Sequence, residues 1–225
     1  MFSPKKPSSS VGLDLETGSV AATEVRGGGS SRVARTAIQP LSSGVVSEGE
    51  VQDSDALSRT LRSFFSENKL GKTVRLGVAN QRVVVRTLRL PLIEDEEELE
   101  TAIRFQAQDQ IPMPLDSAVL DYQPLDIVET ENGPRQRVLI VAARRDMIDR
   151  VMAACKAAGL KPEGIDLSAF AMIRALHRAP ASETPEPVLY LSVGGLTNLA
   201  VAEGTTCLFT RVVGGGLEAI AVELA

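Results

Sequence analysis

Several residue types are scarce in this chain of 225 residues, and each scarcity narrows what the protein can be. Aromatic residues make up 4% of the sequence and tryptophan is absent, so aliphatic side chains must fill the core. The single histidine, His177, ends a predicted helix without a nucleophile or metal-ligand partner nearby in sequence, which indicates a structural residue. The two cysteines, Cys155 and Cys207, lie far apart and lack the spacing of a metal site, which indicates reduced core thiols of a cytosolic protein.

Long apolar runs and an excess of positive charge are also missing. No run approaches the roughly 20 apolar residues that a transmembrane helix needs, and the first residues lack the apolar core and cleavage site of a signal peptide. The formal net charge of −5, without a basic stripe, argues against a nucleic-acid-binding protein. The chain is 44% hydrophobic and 24% charged, which is typical of a globular protein, and residues 1–10, rich in serine and proline, predict a disordered tail.

Two stretches, residues 11–25 and 188–201, share one outline: an apolar strand, a turn of small and polar residues, and a second apolar strand. The first turn contains Thr17, Gly18 and Ser19. The second contains Gly194, Gly195, Thr197 and Asn198. The shared outline predicts a duplicated architecture with one hairpin opening each half. Backbone N–H groups of such turns can hold a phosphate, but small residues are also what any tight turn requires, so both interpretations stay open here.

The rest of the chain alternates strands with helices. After the first hairpin we expect a third strand, a helix capped by Asp53 or Asp55, and a returning strand at residues 73–79. The order strand–helix–strand–strand–helix–strand over residues 83–167 predicts an inserted split β-α-β sandwich. Ser168 is expected to cap the following helix.

The last part of the chain predicts a second half that is incomplete. Residues 179–187, rich in Pro, Ser and Glu, predict a linker before the second hairpin. A strand at residues 207–213 leads to Gly214, Gly215 and Gly216 and then to the start of a helix at Leu217. The strand that would return to the second hairpin is missing from this pattern, so we expect a truncated second half.

Few side chains have the type and the sequence position that metal binding or catalysis requires. Asp14 ends the first strand at the turn and is the one carboxylate placed to coordinate hydrated Mg²⁺ beside a phosphate. The triglycine before the last helix could direct backbone N–H groups at an anion, although it lacks the GxGxxG spacing. The carboxylate run at residues 94–98 predicts a solvated first helical turn. No nucleophile–base arrangement is visible, so the sequence predicts no catalytic residue.

The middle of the chain carries ordered motifs that resemble the PilM family, the actin-like proteins of type IV pilus assembly, which are related to the cell-division protein FtsA. The matching segments are residues 11–25, Arg86-Thr87-Leu88-Arg89-Leu90-Pro91, Arg104-Phe105-Gln106-Ala107, Gln110-Ile111-Pro112-Met113-Pro114, Leu120-Asp121-Tyr122-Gln123, residues 139–144, 157–162 and 189–201, Thr210-Arg211 and Gly214-Gly215. They cover nearly everything from Val11 to the end, and those of the middle are specific in order and spacing.

The resemblance implies an α/β fold of the actin/Hsp70 (ribonuclease H-like) class with an inserted α+β 1C subdomain. The implied organisation is a tail at residues 1–10, subdomain IA at 11–80, the IC insertion at 81–167, a helix and linker at 168–187, and the start of subdomain IIA at 188–225. Subdomain IIB and the segment that contacts adenosine would lie beyond Ala225.

The resemblance also implies ligands and partners. ATP with Mg²⁺ would bind between the two halves, with Asp14 holding Mg²⁺ through water. The implied nucleotide-binding residues are Asp14, Thr17, Gly18, Ser19, Gly194, Gly195, Thr197, Asn198, Gly214, Gly215 and Gly216. The N-terminal cytoplasmic peptide of a PilN-type inner-membrane protein would bind in a groove between IA and IC, for which our candidates are Arg89, Arg104, Phe105 and Gln108. The alternative for Phe105 is that it belongs to the core.

The implied role is that of a cytoplasmic scaffold, held at the inner face of the membrane only through its partners, that links PilN to the pilus motor. Contact with motor ATPases and self-association are further implications, and an extended peptide could add to the edge of an IC strand. An active FtsA-like ATPase that forms filaments at the membrane is the alternative. A sugar or acetate kinase of the same superfamily is a third, against which the IC motifs argue.

Three positions depart from the family pattern. Glu16 stands where the family has Gly, Ala21 where it has Lys, and Ser192 where it has Asp. A carboxylate at Glu16 would repel a triphosphate at close range unless Mg²⁺ lay between them. We therefore expect weak or absent ATP binding by this chain and no useful hydrolysis, so that the protein is more an adaptor than an enzyme.

Overall fold

The computed structural model describes residues 9–27, 31–131, 133–178 and 186–224. These residues divide into two units. The first unit contains the chain up to Gln81 together with everything from Arg150 onward, and the second unit contains Arg82–Asp149. Most of the predicted tail and of the predicted linker lies outside the described residues. The tail was predicted two residues too long, because Ser9 and Ser10 already pair with Arg26 and Val25 in the first strand pair.

The first unit begins with an antiparallel meander followed by a helix and a parallel strand. The elements are β1 (Ser9–Leu15), β2 (Ser19–Arg26), β3 (Arg32–Pro40), the short pair β4 (Val46–Ser47) and β5 (Glu50–Val51), α1 (Ser54–Glu67) and β6 (Thr73–Val78). Asp53 caps α1, since its carboxylate accepts a hydrogen bond from the Ala56 N–H at 2.8 Å. Leu57, Leu61 and Phe64 recur at helical spacing on the face of α1 that is buried against the sheet.

The second unit is a three-stranded antiparallel sheet with a helix on one face. Its elements are β7 (Val84–Pro91), α2 (Glu96–Gln110), a short 3-10 turn (Leu115–Ser117), β8 (Ala118–Thr130) and β9 (Gly133–Arg144), in the sheet order β7-β9-β8. Asp95 caps α2 by accepting a hydrogen bond from the Glu98 N–H at 2.9 Å. Leu99, Ile103 and Ala107 of α2 are buried in one cluster with the strand residues Leu88, Leu90, Val138 and Ile140.

The chain then returns to the first unit. The remaining elements are α3 (Arg145–Ala157), whose first five residues still belong to the second unit, and then β10 (Lys161–Leu167), α4 (Ser168–Leu176), β11 (Val188–Val193), β12 (Thr197–Glu203), β13 (Thr206–Val213) and α5 (Gly216–Leu224). The larger sheet has the order β10-β6-β1-β2-β3, with β6 parallel to both β1 and β10. In α3, Val151, Ala154 and Cys155 join the same core as α1.

The position of β10 corrects the predicted sandwich. The sequence pattern predicts residues 161–167 as part of the insertion, whereas the structure places this strand beside β6 in the sheet of the first unit. The chain can turn back there because Gly159 adopts φ +79° after α3. The Lys161 N–H then donates to the Lys72 carbonyl at 2.8 Å, which starts the pairing.

A second, smaller sheet of the first unit has the order β11-β12-β13 and repeats the antiparallel meander of β1-β2-β3. Ala169 and Ile173 of α4 pack on one of its faces, against Tyr190, Ala200 and Cys207. The last helix, α5, follows this meander as α1 follows the first one. Within the described ranges, no helix is long and apolar enough to cross a membrane.

Candidate functional site

The two predicted hairpin turns meet in the first unit. The turn between β1 and β2 is closed by a hydrogen bond from the Glu16 N–H to the Ser19 carbonyl at 2.9 Å, and the turn between β11 and β12 by one from the Gly194 N–H to the Leu196 carbonyl at 3.0 Å. A third hydrogen bond joins the turns, because the Gly195 N–H donates to Glu16 Oε2 at 3.1 Å. The structure thus brings together residues that lie about 180 positions apart in the chain.

The two turns approach each other closely at Gly194 and Gly195. A Cβ atom added to Gly194 would lie 2.3 Å from Glu16 Oε2, and one added to Gly195 would lie 3.0 Å from Thr17 Cβ and 3.1 Å from the Thr17 backbone nitrogen. Such distances are shorter than van der Waals contact. The close approach of the turns therefore accounts for a small residue at Gly195, which faces the Thr17 backbone, whereas Gly194 meets only the movable end of the Glu16 side chain.

The glycines before α5 lie against the same turn. The Leu217 N–H donates to the Gly194 carbonyl at 2.9 Å, and a Cβ atom added to Gly216 would lie only 2.0 Å from that carbonyl oxygen. A Cβ atom added to Gly214 would lie 2.6 Å from Gln81 Nε2. The sequence predicts that N–H groups at the start of α5 could bind an anion, but the Leu217 N–H donates to a protein carbonyl.

Asp14 forms a second cluster on the face of β1 that is turned away from α1. In the parallel register it lies beside Gly77 of β6, and the Ser168 hydroxyl donates to Asp14 Oδ1 at 3.3 Å. A Cβ atom added to Gly77 would lie 3.1 Å from both of these oxygens, so glycine makes room for the pair. Burial first, and the Glu16 carboxylate second, raise the pKa of Asp14, while the Ser168 hydroxyl partly opposes the shift.

The structure corrects the predicted role of Ser168. The sequence suggested that it caps α4, but the N-cap residue is Leu167 and no side chain makes the capping bond. The Ser168 hydroxyl bonds Asp14 instead. The sequence alone does not predict Ser168 and Gly77 as neighbours of Asp14. Gly77 carried a signal, because a glycine inside an apolar strand often marks a close approach.

A cavity of about 790 Å³ opens beside this cluster. It is lined by parts of β1, β2, β6, α4, β11 and β12, and mainly by apolar side chains such as Leu13, Met172 and Leu191. Asn198 also lines it, is only 6% exposed, and its Oδ1 has no hydrogen-bond partner among the described residues. An apolar cavity with a few polar groups is typical of a small-molecule site.

The remaining predicted nucleotide ligands do not strengthen this site. Gly18 is exposed at the tip of the first turn, with nothing within 4 Å of an added Cβ atom. The Ser19 N–H donates to the Glu16 carbonyl at 3.4 Å, within its own turn. Thr197 starts β12, where its pairing partner is Val193, and Gly215 adopts φ +88° before α5.

These donors fit ATP with Mg²⁺ poorly. The Gly195 N–H is engaged by a carboxylate, Ala21 supplies no cation, and Asp14 Oδ1 already accepts the Ser168 hydroxyl. Among the described residues, no group of three or more His, Cys, Asp or Glu side chains could hold a metal ion. No step of hydrolysis follows from this arrangement.

The partner candidates lie in the second unit. Arg104, Phe105 and Gln108 are on the exposed side of α2, where Phe105 is 76% exposed and Arg104 bonds Glu100 at 2.9 Å. Phe105 is therefore not a core residue of this unit. Arg89 does not join them, because strand residues alternate and its neighbours in β7 face α2, which leaves Arg89 on the other face of the sheet.

Comparison with known proteins gives concordant matches. The family model of the type IV pilus assembly protein PilM matches residues 12–220. The structure of a PilM-PilN type IV pilus biogenesis complex is similar with a TM-score of 0.82 and 28% sequence identity, over 95% of this chain and 63% of that one. The ethanolamine utilization protein EutJ from Carboxydothermus hydrogenoformans is similar with a TM-score of 0.55 and 17% identity, over 99% of this chain and 58% of that one, which concerns the fold alone. This chain thus spans less than two thirds of either structure.

Proposed function

This chain belongs to the PilM family of type IV pilus assembly proteins and has an actin-like fold, and from that premise we propose that it is a pilus-assembly adaptor. In this proposal it binds the N-terminal cytoplasmic peptide of a PilN-type inner-membrane protein and thereby lies at the inner face of the membrane. The observation that carries the proposal is its similarity, at 28% identity over 95% of its length, to a PilM-PilN complex.

The second unit offers two features that suit a peptide. Phe105 presents a large aromatic ring to solvent between Arg104 and Gln108 on α2, and exposed aromatic residues are frequent anchors in interfaces. In addition, β7 is an outer strand of its sheet and pairs with β9 on one side. An extended peptide can add to such an edge through main-chain hydrogen bonds.

The proposal further holds that the adaptor works without nucleotide. It is supported by the engagement of the Gly195 N–H by the Glu16 carboxylate, which a phosphate would have to displace. The alternative, an FtsA-like ATPase that forms filaments, needs this same N–H group to bind phosphate.

A titration tests both parts. A synthetic peptide with the N-terminal cytoplasmic sequence of a PilN-type protein is added to the full chain, with and without Mg-ATP, and binding is followed by calorimetry, with a scrambled peptide as control. We expect the same dissociation constant in both conditions. Absence of binding in both would refute the adaptor role for this chain, and binding only with Mg-ATP would refute its independence from nucleotide.

A further inference from the structure

We propose that the Glu16 carboxylate is a built-in anion for the turn between β11 and β12, closing the two hairpin turns on each other in place of a phosphate-bearing ligand. This inference goes beyond the proposed function, because it concerns how the first unit is held together and not what the second unit binds.

The geometry of the carboxylate carries the proposal. Glu16 Oε2 accepts the Gly195 N–H at 3.1 Å. A Cβ atom added to Gly194 would lie 2.3 Å from Glu16 Oε2 and 2.8 Å from Oε1. Both carboxylate oxygens therefore lie next to the glycine turn. A negatively charged oxygen that accepts a backbone N–H from a glycine turn occupies the place of a phosphate oxygen in an anion-binding turn.

Both partners of this contact are fixed by their own structure. The Glu16 backbone closes the turn between β1 and β2 through its bond to the Ser19 carbonyl. The Gly194 carbonyl receives the Leu217 N–H, which holds the glycine turn against the start of α5. Neither backbone has to be ordered when the contact forms, so the entropy cost that remains is that of fixing the Glu16 side chain.

The charge of Glu16 also opposes a second anion. Asp14 and Glu16 both line the cavity beside the turns. A phosphate brought to the Gly195 N–H would meet the Glu16 carboxylate at the distance of that hydrogen bond, with the Asp14 carboxyl group lining the same cavity. Removal of the Glu16 charge is therefore expected to release the N–H donor and to reduce the repulsion in one change.

The test uses the full chain with Glu16→Ala and, in case that variant folds poorly, Glu16→Gln, which keeps an oxygen acceptor without the charge. Glu203→Ala is the matched control, because Glu203 is an exposed glutamate at the end of β12 in the same unit. Hydrogen exchange of the Gly195 amide is measured by two-dimensional NMR, first without added anion and then with inorganic pyrophosphate.

We expect the Gly195 amide to exchange about tenfold faster in Glu16→Ala than in the wild type or the control, as for the loss of a hydrogen bond to a charged group. Pyrophosphate should slow this exchange and shift the Gly195 resonance in Glu16→Ala, with a weaker effect in Glu16→Gln and none in the wild type. Exchange unchanged in both Glu16 variants would overturn the proposal, as would equal pyrophosphate shifts in the wild type. A released amide that pyrophosphate leaves unshifted would show that the turn is not an anion site and would overturn it too.

The PilN-peptide titration gives an independent result. A chain that fails to bind the peptide can still show the Gly195 response, and a chain that binds it can lack the response, so the two proposals can fail separately.

Discussion

Phe105 is either the anchor of a peptide-docking surface or an ordinary exposed side chain. Its truncation to alanine distinguishes these two roles. Full burial of a phenylalanine contributes roughly 1.5–3 kcal/mol. Phe105 is 76% exposed, so its remaining contacts in the folded chain are worth about 0.5 kcal/mol. Alanine is the better helix former by a similar amount, about 0.5 kcal/mol. We therefore expect Phe105→Ala to leave the free energy of unfolding within about 0.5 kcal/mol of the wild type.

Binding of the PilN-type peptide should respond differently. Truncation of an aromatic anchor in an interface costs about 2 kcal/mol or more, which corresponds to a roughly 30-fold weaker dissociation constant. Urea unfolding and peptide calorimetry on the same samples measure the two quantities. The control is Phe209→Ala, which removes a phenylalanine that is 51% exposed in β13 of the first unit and should not change peptide affinity. A Phe105→Ala chain that binds the peptide as tightly as the Phe209→Ala chain would refute the assignment of this surface.

Three further changes test the first unit. Because the pKa of Asp14 is raised, its ionised form lowers the stability of the fold at neutral pH, so Asp14→Asn should raise the melting temperature there. This gain in melting temperature should shrink as the pH falls through the raised pKa of Asp14. A gain that stays constant with pH would contradict this prediction. Burial raises the pKa of Glu24, but its two arginine partners outweigh burial and hold that pKa below the usual range. Glu24→Gln should therefore be less stable than the wild type at neutral pH, by a margin that closes in acid, as urea titrations across pH would show. Gly49→Ala should lower the free energy of unfolding, measured in urea, by about 2 kcal/mol or more, because φ is +74° and the new Cβ would lie 1.9 Å from the Ala79 carbonyl oxygen. Gly44→Ala, where φ is +81° and the space is open, should lower it by only about 1 kcal/mol. Equal costs for the two glycines would contradict the clash.

Local patterns of the sequence were sufficient to predict most of the elements, but not the short pair β4–β5 and not all of the strand partners. The alternation of Val11 and Leu13 and the helical spacing of Leu57 and Leu61 follow from burial on one face, and the structure places these residues in one core. The strand at residues 161–167 was predicted as an element, yet its place in the sheet depends on pairing with β6 nearly 90 positions earlier. Nothing in a local pattern specifies which of several sheets a short apolar strand will join.

The same limit applies to the candidate site. Its turns were predicted from small residues and strand alternation, and the structure brings them together. The individual roles were harder to predict, because Ser168 satisfies the pattern of an N-cap in sequence while its hydroxyl bonds Asp14, and Phe105 lies next to the buried Ile103 without being buried itself. A side chain's partner across the fold is decided by which strand and helix ends become neighbours, which is a property of the topology.

The sequence pattern located the glycine turn between β11 and β12, but it did not predict which group this turn contacts. Glycine is selected wherever a backbone must come close to another group, and a phosphate and a protein chain impose the same steric demand. At Gly194 and Gly195 the approaching groups are the carboxylate of Glu16 and the backbone of Thr17. The charge of Glu16 predicts repulsion of ATP, and in our proposal Glu16 is the group for which the turn has room. Its replacement by the family's glycine would remove the occupant and leave the N–H donor and the glycine turn in place. The variant Glu16→Gly is therefore expected to show a pyrophosphate response at least as large as that of Glu16→Ala, and a smaller response would mean that the turn requires the carboxylate to hold its shape.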